Sequence, residues 1–381
     1  MSILTNRIIW ISSHANGLEK ITFKDNSFHL YTPQELRAQQ NNNRALFIDK
    51  DKRLWIGFKH KGVGVYDSNH AFLGYLQNDG TLSLKGNNLK AAPYSIMQDH
   101  RGDIWIGTKK YGIIRLEAQN GSDRFKLSRF MFNEKDPYSL SNNDVFHVYE
   151  DSKHRLWCAT LNGGINYLKH DEETTTYSFI NHRNELKNYP IETCSRTRHI
   201  LSDKQGKLWV ATSNGLLVMD ENFKHVSDIE FELIKHIPGN SQSLNNNDIQ
   251  FLYLTKQQQL YVATFGGGLN HLLSFQDDGA KFECYTKEDG LLSNILLSME
   301  ESPDGNLWIV MTEGLSKYNP HNKTFENYSS REFPEFIRFN DGAGCYSEKD
   351  EALLFNTQQG VMWFRPDSLQ KSGYVPPIVF T

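Results

Sequence analysis

The stretch Asp99-His100-Arg101-Gly102-Asp103-Ile104-Trp105-Ile106-Gly107-Thr108, with Gly112-Ile113 just beyond it, decides the architecture. It reads as a turn, a strand rich in bulky apolar residues, and a tight turn into the next strand. Its core recurs as Ile9-Trp10-Ile11, Leu54-Trp55-Ile56-Gly57, Leu156-Trp157-Cys158-Ala159, Leu208-Trp209-Val210-Ala211, Leu260-Tyr261-Val262-Ala263 and Leu307-Trp308-Ile309-Val310, with an eroded copy at Leu353-Leu354-Phe355. The central position falls at 10, 55, 105, 157, 209, 261, 308 and 354, and six of the 7 tryptophans occupy it.

Six or seven residues after each central position stands a glycine followed by an apolar residue, from Gly17-Leu18 through Gly112-Ile113 to Gly360-Val361. A short hairpin turn there favours positive φ, which costs glycine little. Upstream, Asp49, Asp99, Asp151 and Asp203 each stand six residues before their tryptophan, as turn-opening aspartates do. Downstream, Phe-x-x-Tyr recurs at Phe28/Tyr31, Phe72/Tyr75, Phe282/Tyr285 and Phe325/Tyr328. Four short strands per ~50 residues predict an all-β fold, a β-propeller of four-stranded blades. The aromatic residues then fill the space between sheets, and the small residue two after the tryptophan (Gly57, Gly107, Ala159, Ala211, Ala263) lets neighbouring sheets approach.

Eight hairpin cores fit seven blades better than eight. The first lacks a strand before it and the last lacks one after it, so Phe28–Tyr31 is expected to complete the sheet around Leu354 and close the ring. Residues 1–24 are then a hairpin left over from a preceding propeller or an extra blade, and residues 25–365 are the propeller. Residues 366–381, with Pro376-Pro377, read as a linker and the first strand of a following domain. An eight-bladed ring is the alternative. The chain reads as a fragment with both ends cut, so the lack of a signal peptide at its N-terminus does not locate it.

The composition excludes several classes. The 381 residues carry 41 Lys+Arg against 45 Asp+Glu, a net charge of −4, which provides no phosphate-neutralising surface, so nucleic acid is not an expected partner. No apolar run approaches the ~18 residues that a membrane helix needs. The 4 cysteines, Cys158, Cys194, Cys284 and Cys345, form no CxxC pair. Neither HExxH nor GxSxG occurs, and no catalytic residue, metal site or cofactor is expected. Phe265-Gly266-Gly267-Gly268 occupies a hairpin-turn slot and is read as structural, not as a phosphate cradle, since a strand and not a helix follows it. Cys158 is read as a buried inert thiol, and His147 and His199 as packed or facing the channel.

Asp-x-x-Gly-x-Leu/Ile-Trp-Ile-Gly-Thr followed by Gly-Leu/Ile, fullest at Asp99–Ile113, resembles the regulator-propeller repeat of two-component sensors. The segments Asp136–Asp144 and Ser243–Asp248, and the ending Phe364-Arg365-Pro366 with Pro376-Pro377-Ile378, resemble those of Bacteroides-type hybrid two-component systems. The resemblance implies a periplasmic sensor region, part of an inner-membrane protein. Two propellers and an immunoglobulin-like domain would precede a membrane helix, a histidine kinase and DNA-binding modules. It implies a parent that acts as a homodimer, and an oligosaccharide or other small ligand.

The loops between the tryptophan strand and the glycine all emerge on one face of such a ring. They supply the candidate ligand-binding residues His14, Lys59, His60, Lys109, Tyr111, Asn162, Asn214, Phe265, Glu313 and Gln358. Polar and aromatic side chains on a fixed frame suit sugar recognition, although hairpin tips are polar in any case. Two other readings stay open: an enzyme resembling streptogramin lyase, with a histidine and a metal in the funnel, and a ligand-free structural or dimerisation propeller.

Overall fold

The computed structural model describes residues 7–13, 17–23, 27–31, 43–85, 89, 91–119, 124–171, 173–174, 176–329, 332–333, 337–342 and 344–369. Seven antiparallel sheets follow one another along the chain as seven blades. In blade 3 the strands run Val145–Glu150, Leu156–Thr160, Gly164–Asp171 and Thr176–Ile180, in that order from the inner edge outward. The inner strands of the others are Asn43–Ile48, Ala92–Gln98, Thr197–Ser202, Ile249–Leu254, Ser298–Glu301 and Cys345–Ser347. Blade 1 carries a fifth strand, Leu82–Ser83, which the repeat does not announce.

Closure follows the expectation: His29–Tyr31 pairs with Val361–Phe364, so a strand from near the N-terminus completes blade 7. Among the described residues, the strands Arg7–Ser13 and Gly17–Phe23 pair with each other alone, as a separate two-stranded sheet. The expected linker falls from residue 370 onward outside the described residues.

The core is a ring of seven apolar clusters, each shared by two neighbouring blades. Trp55, Trp105, Trp157, Trp209 and Trp308 are at most 1% exposed and lie in these seams. A buried indole N–H needs an acceptor. It donates to Asp49 Oδ2, Asp99 Oδ2 and Asp151 Oδ2 at 2.8 Å and to Asp203 Oδ2 at 2.7 Å. Each of these carboxylates also accepts, at Oδ1, a backbone N–H four residues on, so one side chain caps the turn and anchors the tryptophan. In blade 6, Ser302 takes the role, accepting from Trp308 at 3.1 Å. The small residue two after the tryptophan serves close approach: a Cβ on Gly107 would lie 2.9 Å from the Val145 carbonyl oxygen of the next blade.

Candidate functional site

Five inner strands begin with a β-bulge. Pairing with the second strand skips Arg44, Tyr94, Phe146, Arg198 and Gln250, in blades 1 to 5. Each lies eleven residues before its tryptophan position. A bulge re-aims the extra side chain, here away from the blade seam and into the central channel. All five line one cavity of about 390 Å³ at the channel mouth, together with Leu297, which holds the same register position in blade 6. That volume lies within the range of small-ligand sites.

The wall combines aromatic faces with cationic tips. Tyr94 and Phe146 approach at 4.7 Å between ring centroids, and the Arg44 guanidinium lies 5.0 Å from the Tyr94 ring. His147, one residue past the bulge, stacks on His199 of the next blade at 3.9 Å, and His199 meets Phe251 of the blade after that at 4.1 Å. Arg196 and Lys109 are exposed at the rim, and neither makes an ion pair among the described residues. Arg198 pairs with Asp248, and Arg44 Nε stands 3.6 Å from Asp341. Four cations thus face two carboxylates, and the mouth is electropositive although the chain is acidic.

Burial holds both histidines neutral. Desolvation lowers His147 to about 4 and, together with His147 itself, sets His199 well below the usual value. His147 Nδ1 accepts the Ile200 N–H at 3.2 Å, a backbone donor on the unpaired edge of the next inner strand. Tyr149 does the same for Ser202 N–H at 2.9 Å. The unfolded chain protonates its histidines below pH ~6.5 while the folded ring refuses the proton. Stability is therefore withdrawn as pH falls from about 6.5 toward 4, and His147 accounts for about 2 kcal/mol by pH 5. Urea unfolding of His147→Phe between pH 7 and 4.5 should show a shallower acid loss than the parent, and an unchanged slope would contradict the assignment.

Of the sequence-derived candidates, Lys109 lines this funnel. Tyr111 instead turns into the seam of blades 1 and 2, 5.7 Å under Arg129. Asn214 is engaged with the preceding helical segment Ile191–Cys194, donating from Nδ2 to the Thr193 carbonyl at 3.2 Å, and Gln358 N–H donates to the Arg338 carbonyl. Lys59, His60, Asn162, Phe265 and Glu313 are exposed turn residues. His14 lies outside the described residues. The turns stand one strand farther from the axis than the bulges, so they encircle the mouth while the bulge residues fill it. In the Phe265–Gly268 turn, the amides of Gly266 and Gly268 donate to the Asn294 carbonyl and that of Gly267 to Thr264 Oγ1, which leaves no donor for a phosphate.

A larger cleft of about 560 Å³ opens on the opposite face, beside the aspartate turns of blades 3 and 4. Several of its polar groups pair with one another: Ser152 donates to Glu221, Arg155 to the Glu221 carbonyl and Lys153 to Asn222. The funnel is the better candidate because Arg196 and Lys109 make no ion pair among the described residues and aromatic rings line its wall.

The two component regulator propeller model matches residues 90–110 and 139–162, the inner and second strands of blades 2 and 3. Histidine kinase P4 of Formosa agariphila is 22% identical over 376 residues, covering 98% of this chain and 25% of that protein. The chain thus spans a quarter of that relative's length. A structure described as the extracellular domain of a proposed hybrid two component system of B. thetaiotaomicron is 19% identical, with 89% of this chain and 53% of that one covered and a TM-score of 0.42. A catalytically inactive virginiamycin B lyase from Staphylococcus aureus, solved with quinupristin, is 12% identical, with 88% and 97% covered and a TM-score of 0.58. Among the described residues no helix is long and apolar enough to cross a membrane. The chain is thus a seven-bladed propeller whose second and third blades match the two component regulator propeller model.

Proposed function

We propose that this ring is the ligand-sensing part of the extracytoplasmic, periplasmic region of a two-component histidine kinase, and that its ligand is an oligosaccharide bearing acidic groups. The kinase, the membrane anchor, a second propeller, an immunoglobulin-like domain and the homodimer belong to the parent protein. The observation that carries the reading is the bulge ring: the adjacent aromatic faces of Tyr94 and Phe146, which can stack on sugar rings, are flanked by the guanidinium groups of Arg44 and Arg198, which can pair with carboxylate or sulfate. The regulator-propeller match and the similarity to a histidine kinase supply the signalling context.

Calorimetric titration of the chain with neutral, uronate-bearing and sulfated oligosaccharides tests it. Acidic members should bind more tightly, lose affinity with added salt, and bind at least ~10-fold more weakly to Arg196→Ala and Arg44→Ala. Phe146→Ala should weaken neutral and acidic members alike. Silence across the panel, or full affinity in both arginine variants, would sink the proposal. A lyase-type reading needs a histidine and a carboxylate meeting in the funnel. Among the described residues the histidine–carboxylate contacts, His70–Asp350, His100–Glu150 and His154–Glu150, lie on the opposite face and lend it no support.

A further inference from the structure

On that opposite face, at the seam of blades 2 and 3, His100, Glu150 and His154 bring two imidazole nitrogens and a carboxylate oxygen within 4.8 Å of one another. We propose that these three residues form a binding site for a divalent transition metal of the zinc class, bridging the two blades.

The propeller itself asks for none of these residue types. His100 lies five before its tryptophan, and Glu150 and His154 lie seven and three before the next one. The same positions hold Lys50, Gln98 and Gly102 at the seam of blades 1 and 2, and Ser152, Ser202 and Gly206 at that of blades 3 and 4. No other seam holds a histidine at any of these three positions. His154 occupies a left-handed turn position at φ 61, where the other blades carry Gly102, Gly206 and Gly305 or Lys52, Gln258 and Glu351, and it is the one histidine at that position.

The geometry suits coordination. His100 Nδ1 contacts Glu150 Oε1, and His154 Nδ1 lies 3.6 Å from the same oxygen. Metal–nitrogen bonds of about 2.0–2.1 Å in a tetrahedral shell place neighbouring donors roughly 3.3 Å apart, so small side-chain rotations suffice. The two rings stand 4.1 Å apart, and Glu150 Oε2 is held by the His100 N–H at 2.9 Å, which fixes the carboxylate. His170 lines the same cleft, with its Nδ1 buried and unpartnered. Two histidines and one glutamate leave at least one coordination position for water or a ligand oxygen.

Titration of the tag-free chain with Co²⁺, followed by the visible bands of low-coordinate cobalt and by displacement with Zn²⁺, tests the site. The expected result is saturation at one equivalent, with affinity at least ~10-fold weaker in His100→Ala, Glu150→Gln and His154→Gly, and unchanged in His321→Ala. His154→Gly suits the left-handed turn, so its thermal midpoint in metal-free buffer should match or exceed that of the parent, which separates loss of metal from loss of fold. Metal should raise the midpoint of the parent chain and not of that variant. Absence of saturable binding, or undiminished affinity in either histidine variant, overturns the proposal.

Discussion

Replacing Asp151 with alanine is expected to lower the unfolding free energy by about 3 kcal/mol. Asp151 Oδ1 caps its turn by accepting from Lys153 and Arg155 N–H, and Oδ2 accepts from Arg155 Nε at 2.7 Å and the Trp157 indole at 2.8 Å. Alanine removes the cap, worth ~1 kcal/mol, and strands an indole N–H that is fully buried, worth a further 1–3. Asp151→Asn keeps an acceptor but can set an amide N–H against the indole N–H, so it should recover only part of the loss. Urea denaturation of the three proteins decides the matter, and a loss below about 1 kcal/mol for the alanine variant would refute this account of the repeated aspartate. The same logic ranks Asp49, Asp99 and Asp203 together as structural groups, each spent within its own blade.

Gly112→Ala should cost about 3 kcal/mol or more. Gly112 sits at φ 68, and a Cβ there would lie 2.0 Å from the Phe130 carbonyl oxygen, a backbone atom in a paired outer strand that cannot rotate aside. The left-handed conformation alone costs an L-residue ~1–2 kcal/mol, and the collision adds to it. Gly239→Ala separates the two contributions, since Gly239 has φ 82 but no atom within 4 Å of the added carbon. It should lose only about 1 kcal/mol. Equal losses in the two variants, measured by thermal or urea unfolding, would remove the steric part of the explanation.

These two positions also show why so much of the fold can be read from the chain. A turn that needs positive φ selects glycine, and a buried indole that needs an acceptor selects aspartate. Both demands are local, so they print themselves at fixed spacing in every repeat. Gly314 marks the edge of that rule: its backbone is not left-handed, and glycine serves there because a Cβ would strike the Tyr328 carbonyl oxygen at 2.4 Å. The spacing is the same but the cause is tertiary.

The candidate site was legible only in part. Lys109 belongs both to the turns singled out from the repeat and to the funnel wall. Arg44, Tyr94, Phe146, Arg198 and Gln250 were passed over because they sit inside strands, where period-two alternation assigns a residue to one seam or the other. The bulge breaks that alternation. Its signal in the sequence is a variable column of large polar or aromatic residues eleven before the central position of the first five blades, beside the apolar column Leu46, Ile96, Val148, Ile200 and Leu252.

The sequence by itself determined the blade, its period, its aspartate and glycine turns and the aromatic seams, because each rests on contacts within some fifty residues that every repeat must satisfy anew. The tertiary structure decided the rest. The convergence of five bulges on one channel and the meeting of His100 with His154 across a seam both depend on how the repeats are arranged around an axis. A single repeat carries no information about that axis, since it appears only when seven blades have been laid side by side.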